Sequence, residues 1–187
     1  MELADLAAGL RATGARCLLI DGRSGSGKST IASALAAVWP EAAVIRLDSI
    51  YPGWGGLAWA SEHLRTSVLE PRALGREASW REWDWTSGSA GAWHPVDPDR
   101  PLIVEGVGSL TVANRALADV ALWVEHATAE RKARALARDG ETYVPHWDAW
   151  AAQEDVFIAQ NHPEALADLI AVPTDGGFDL MQTGRTP

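Results

Sequence analysis

Short apolar runs rich in β-branched residues alternate along this chain with longer stretches in which apolar residues return every three or four positions. The short runs, at 16–20, 43–47, 102–104, 120–124 and 169–172, predict five strands. The longer patterns predict helices at 28–38, 57–74, 112–118, 127–138 and 146–160. Leu3, Leu6, Ala7 and Leu10 form the apolar face of a further, N-terminal helix. In the last long helix Trp147, Trp150, Ala151, Glu154, Phe157 and Ile158 share one stripe, and Glu154 is its only polar member. Strands alternating with helices in this way predict an α/β fold of three layers, a five-stranded parallel sheet covered on both faces.

Two segments fall outside the pattern. Residues 77–101 carry four tryptophans, Trp80, Trp83, Trp85 and Trp93, with little periodicity, and read as an irregular excursion over the site. Residues 174–187 read as a polar tail with a disordered end. No repeat or linker divides the chain, so one domain over 1–187 is expected.

Composition narrows the possible partners. The chain has 187 residues, 47% of them apolar, enough to bury the core of a covered sheet. Its formal charge is −9 and no basic run exceeds two residues, which argues against a grip on nucleic acid. The single cysteine, Cys17, excludes an internal disulfide, fits a reducing compartment, and is expected to pack within the first strand. The longest stretch without a charged residue, 49–61, is 13 residues and is broken by Pro and Gly, too short for a membrane span. With Glu2 and Asp5 interrupting the N-terminus, a soluble cytoplasmic protein is expected. His63, His126, His146 and His162 lack metal-ligand spacing, and no zinc site is assigned to them.

The most specific chemistry lies between the first strand and the next helix. Gly22-Arg23-Ser24-Gly25-Ser26-Gly27-Lys28-Ser29 fits G-x-x-x-x-G-K-[ST] without a gap, and Thr30 follows. Glycines there let successive N–H groups turn inward around phosphate oxygens, and the helix dipole faces the anion. Lys28 brings a positive charge to the β- and γ-phosphates, and the Ser29 hydroxyl is a magnesium ligand.

Ligands of such sheets gather at the carboxyl ends of the strands. Asp48 follows the second strand and either caps a turn or accepts the proton of an attacking hydroxyl; the intact phosphate loop favours the catalytic role. Glu105 ends the third strand and either binds a backbone amide or holds magnesium, the second being favoured. Arg131, Arg134 and Arg138 are spaced to share one helical face, with Ala133, Leu136 and Ala137 opposite. That face either meets the charge of a transferring phosphoryl group or is a solvated surface with a Glu130–Arg134 pair. Gly140 to Pro145 provides the bend of a lid spanning 127–145. In the tryptophan-rich segment, Arg81 and Asp84 are candidate acceptor contacts, while the indoles as such read as packing.

In this order the motifs resemble the P-loop small-molecule kinases of the uridine kinase and phosphoribulokinase group. Ser24-Gly25-Ser26-Gly27-Lys28-Ser29-Thr30 is close to the serine-rich loop of that group, and Asp48-Ser49-Ile50-Tyr51 is similar to its Asp-Ser-Phe-Tyr motif. Val104-Glu105-Gly106, the Arg131 to Asp139 segment, and the run from Ala167 to Pro173 resemble its strand-end acid, lid helix and last strand. The resemblance implies a P-loop NTPase fold, ATP with Mg²⁺, and transfer of the γ-phosphoryl to a hydroxyl of a small molecule. It also implies Asp48 as base, Tyr51 at the border of the acceptor, and Glu105 in a magnesium or acceptor role. Where the group's nucleoside kinases carry aromatic-Asp-His-Pro, Trp83-Asp84-Trp85-Thr86 keeps only the first two, which implies an acceptor other than uridine.

Three other readings compete. A nucleoside monophosphate kinase would need a further arginine at the acceptor, for which Arg65, Arg72 and Arg81 are the candidates. A regulatory ATPase would turn over ATP without an acceptor, and a degenerate kinase would bind ATP without chemistry. The acceptor, the preference for ATP over GTP and the oligomeric state are not legible in the sequence.

Overall fold

The chain, described over residues 1–184 by a computed structural model, builds its central sheet from the runs expected to be strands. The end of the expected tail, 185–187, lies outside the described residues, as does the side chain of Asp139. Helix α1 (Leu3–Thr13) opens with the Glu2 amide donating to the Asp5 carboxylate at 3.3 Å and closes on left-handed Gly14. Its buried residues are Leu6, Ala7 and Leu10. Strand β1 (Cys17–Asp21), buried along its whole length, runs through the phosphate loop into α2 (Lys28–Val38), and β2 (Ala43–Arg46) follows.

The helix expected over 57–74 is one helical run with a defect: α3 (Leu57–Leu64), a π-turn over Arg65–Leu69, and α4 (Glu70–Ala73). Pro71 has no N–H for the carbonyl four residues back, and a wider turn accommodates it. Strands β3 (Ala78–Asp84) and β4 (Ser89–Val96) come next, then β5 (Leu102–Glu105), α5 (Val112–Arg115), β6 (Val120–Val124) and α6 (Thr128–Asp139). The chain continues through 3₁₀ turns into α7 (Trp147–Asn161), α8 (Pro163–Leu166), β7 (Leu169–Thr174) and β8 (Gly177–Gln182).

The main sheet has the order β2-β5-β1-β6-β7-β8, parallel except for β8. It has six strands, where five are expected from the sequence. The sixth lies in the segment read as a tail: Thr174 pairs with Gly177 across Asp175-Gly176, a two-residue hairpin turn, and Leu180 points inward while Met181 points out. The second correction concerns 77–101, which is no irregular excursion but the antiparallel hairpin β3–β4. A register shift between Arg81 and Trp83 breaks the period of two that would have announced it.

Core residues alternate across the sheet. Leu18, Ile20 and Ile103 pack under α1 and α2, whereas Leu19 and Val104 face the layer of α3, α7 and the hairpin. Among the described residues, no helix is long and apolar enough to cross a membrane.

Candidate active site

The phosphate loop is held from below by Asp21, the last residue of β1. Its buried carboxylate accepts from the amides of Gly22 at 2.7 Å, Gly108 at 3.1 Å and Leu110 at 2.8 Å. Burial pushes Asp21 up to about 7, against the pull of these amides and Lys28. Gly22, Gly25 and Gly27 all have positive φ. A side chain at Gly22 would lie 2.5 Å from the Val124 carbonyl oxygen, and one at Gly25 would collide with the backbone of Arg131. The loop is therefore pressed between β6 and α6. Phe178 of β8 closes the other side, its ring 2.7 Å from where a Cβ on Gly27 would sit.

Lys28 Nζ donates to the Arg23 carbonyl at 3.0 Å, and the hydroxyl of fully buried Ser26 has no partner among the described residues. Gly25, Gly27, Lys28, Ser29 and Thr30 line a cavity of about 340 Å³ together with Arg134 and Arg138. Loop amides, an ammonium and two guanidinium groups make this an anion site.

Not all the lid arginines point into that cavity. Arg131 is buried and donates to the Ser24 carbonyl at 3.0 Å, which ties α6 to the loop; burial, then Arg23, pulls its pKa down. Arg134 contacts the His126 ring at 3.3 Å. The packed side of α6 consists of Arg131, Ala135 and half-buried Leu136, which rests on the apolar core as expected, whereas Ala133 and Ala137, expected on the same face, are exposed. Where the helix meets the polar loop, a guanidinium able to reach a carbonyl faces inward.

Glu105 is buried at the end of β5. Its Oε1 has no hydrogen-bond partner among the described residues, with the Arg46 guanidinium 3.5 Å away. Burial raises its pKa and Asp48 adds to this, while Lys28, a hydrogen bond from Ser29 and Arg46 oppose it. An orphaned carboxylate oxygen beside the Ser29 hydroxyl suits a hard cation. Among the described residues no three of His, Cys, Asp or Glu cluster to hold a metal. Magnesium in such sites takes one or two protein oxygens and completes its shell with phosphate and water.

A second cavity, of about 190 Å³, adjoins the first. Ser24, Asp48, Tyr51, Trp54, Trp85, Arg138, Tyr143 and Trp150 line it. Asp48 sits in the 3₁₀ turn Leu47–Ser49 after β2, its carbonyl held by the Trp85 indole at 2.8 Å. Tyr51 is buried with its hydroxyl donated to the Val107 carbonyl at 2.7 Å, and burial raises its pKa well above the ordinary phenol value. Trp54 stacks on Tyr143 and His146, at centroid distances of 5.1 and 4.5 Å.

The hairpin contributes less than its composition suggests. Arg81 lies over Trp93 and outside the cavity. Asp84 caps the turn of the hairpin, accepting from Thr86 and Ser87, and faces an open cleft shared with Asp48. Arg65 pairs with Glu62 and Glu70, and Arg72 with the carbonyls of Asp97 and Arg100. None of Arg65, Arg72 and Arg81 lines the aromatic cavity. Tyr143 and Trp54 belong to the site without having been singled out in the sequence. Their only signal is aromatic residues in Gly-rich or Pro-containing turns.

A phosphate loop between β1 and α2, acids after β2 and β5, and an arginine-bearing helix over the loop define the P-loop kinase fold. In three dimensions the chain is similar to a protein described as a possible uridine kinase from Bacillus stearothermophilus. The two are 21% identical with a TM-score of 0.62, over 91% of this chain and 99% of that one. It is also similar to a candidate fructose transport system kinase from Silicibacter sp. TM1040, at 21% identity and a TM-score of 0.58, over 86% and 96% of the two chains. No family profile and no curated protein matches the chain by sequence. These likenesses establish the shared fold.

Proposed function

We propose that this protein is a kinase that moves the γ-phosphoryl group of ATP, with Mg²⁺, onto a hydroxyl of a small, ring-bearing molecule. The observation that carries this reading is the junction of the two cavities. Arg138 lines both, with Lys28 and Ser29 on one side and Asp48 on the other. A phosphoryl group handed from the first cavity to the second passes the guanidinium that neutralises its spreading charge.

Lys28 and the loop from Gly22 to Thr30 hold the polyphosphate, and Arg134 and Arg138 cover it. Ser29 and Glu105 would hold Mg²⁺, which neutralises phosphate charge when bound. Asp48, exposed at the cavity wall, accepts the proton of the attacking hydroxyl. Trp54, Trp85, Tyr143 and Trp150 give the cavity an aromatic wall that suits a ring and excludes water that would otherwise compete for the phosphoryl group. The monophosphate-kinase reading is disfavoured because Arg65, Arg72 and Arg81 are engaged elsewhere.

The reading is tested by screening ATP consumption against nucleosides, sugars and other small ring-bearing alcohols, with the phosphorylated product identified by mass. Acceptor-dependent ADP formation supports it. Steady ATP hydrolysis that no alcohol accelerates would replace it with the ATPase reading.

A further inference from the structure

Glu154 is the one polar residue in the apolar stripe of α7, and it is 1% exposed. Its carboxylate gathers three donors, two from neighbouring residues of the phosphate loop and one from its own helix a turn back. Oε1 accepts from the Ser24 amide at 2.8 Å and from the Trp150 indole at 3.0 Å, and Oε2 accepts from Arg23 Nε at 2.9 Å. The Trp150 indole N–H also lies 3.0 Å from the Ser24 hydroxyl. Arg23 reaches onward to Asp155 at 2.6 Å. The preceding residue, Gln153, donates to the Trp54 carbonyl at 2.7 Å. One turn of α7 thus holds the first residues of the phosphate loop and two tryptophans of the aromatic cavity.

A mere staple between α7 and the sheet would not need a charge there. Burying a carboxylate is unfavourable until its partners compensate, and an apolar contact of equal size holds a helix at least as well. A negative group beside a polyphosphate loop also opposes the anion. What a carboxylate supplies, and an apolar side chain cannot, is a fixed relation between hydrogen-bond donors on different elements.

We infer that Glu154 is a positioning residue that couples the two halves of the site. Through one carboxylate it makes Ser24, Arg23 and Trp150 a single hydrogen-bonded unit, so that polyphosphate in the loop fixes Trp150 and a ring resting on Trp150 fixes the loop. Coupling of this kind is reciprocal: each ligand tightens the other by the same factor. The inference rests on the kinase reading above, and its test separates the two.

The test follows backbone amides and tryptophan indoles of the ¹⁵N-labelled full chain by NMR as Mg-ATP is added. The Trp150 indole signal is identified by its loss in Trp150→Phe. The expected result is that the Ser24 amide and the Trp150 indole move along one saturation curve while the indole of Trp39, at the far end of α2, stays in place. In Glu154→Ala, Ser24 still responds, while the Trp150 indole, left with only the Ser24 hydroxyl as partner, shifts at least twofold less than in the wild type. A variant that is only less stable would lower the melting temperature and keep the paired response. Should Glu154→Ala fail to fold, Glu154→Gln serves, since its NH₂ must face a donor whichever way it turns; the Trp150 shift is then expected to fall at least twofold. Phosphate-loop amides that move while the wild-type Trp150 indole stays still would overturn the coupling and leave the kinase reading standing. No response of any loop amide to Mg-ATP would overturn both.

Discussion

The donor and acceptor halves of this site are built by opposite strategies. The donor half is contiguous: nine residues from Gly22 to Thr30 form one loop and the start of one helix, and under the proposed function its backbone amides are the main phosphate ligands. The acceptor half is assembled from four separate segments of the chain, Ser24, Asp48 to Trp54, Trp85, and Arg138 to Trp150. Backbone-built sites tolerate little, because each glycine occupies a conformation or a gap that a side chain cannot share. Side-chain-built sites can be refitted one residue at a time. Under the proposed function, the difference implies that phosphate binding is the fixed part of the chemistry and the choice of acceptor the adjustable part.

Asp48, on the wall of the acceptor half, offers the sharpest test. Asp48→Asn keeps the size of the side chain and removes its ability to take a proton. Turnover with acceptor is expected to fall about 10³-fold, the usual worth of a general base, while the affinity for Mg-ATP measured by calorimetry stays within about twofold. An unchanged turnover would move the base elsewhere and break the division of labour.

Each half can then be damaged alone. Gly25→Ala places a methyl group against the Arg131 backbone at a positive φ, a strain of about 1–3 kcal/mol. Mg-ATP affinity is expected to weaken by about 10- to 100-fold, read by calorimetry. Trp54→Ala removes a ring stacked on Tyr143 and His146. The KM for acceptor is expected to rise about tenfold, the scale of a lost aromatic pair, with kcat for bound acceptor and the KM for ATP little changed. Equal effects of Trp54→Ala on both substrates would show that the cavities do not divide as described.

The same contrast decides what could be read from the sequence. The phosphate loop, the strand-end acids and the lid helix are local patterns, and the loop and the acids occupy the positions their spacing implies. The aromatic cavity is a product of topology. Nothing in the spacing of Trp54 and Trp150 tells that the turn before α3 and helix α7 bring them to one wall. Glu154 was visible as a polar interruption of an apolar stripe, but its partners, 130 residues away in the loop, were not. Arg131 shows the limit of periodicity: the spacing puts three arginines on one face, and the carbonyl of Ser24 then draws one of them inward. Strand β8 lies in a run whose polar composition hides it, although Asp175-Gly176 before an alternating run is a hairpin signal.

The smallest expected effect concerns the metal. Burial holds the Glu105 proton to a higher pH than an ordinary carboxylate keeps it. Magnesium must displace that proton, so metal affinity rises with pH through the raised pKa and is lost as pH falls through it. The Mg²⁺ concentration for half-maximal rate is expected to increase a few-fold on acidification, beginning closer to neutrality than an exposed glutamate would cause. In Glu105→Gln the half-maximal concentration should be higher throughout and nearly flat with pH over that range. A pH dependence that survives the substitution would assign the titration to another group, with buried Asp21, pushed up to about 7 beneath the same loop, the next to replace.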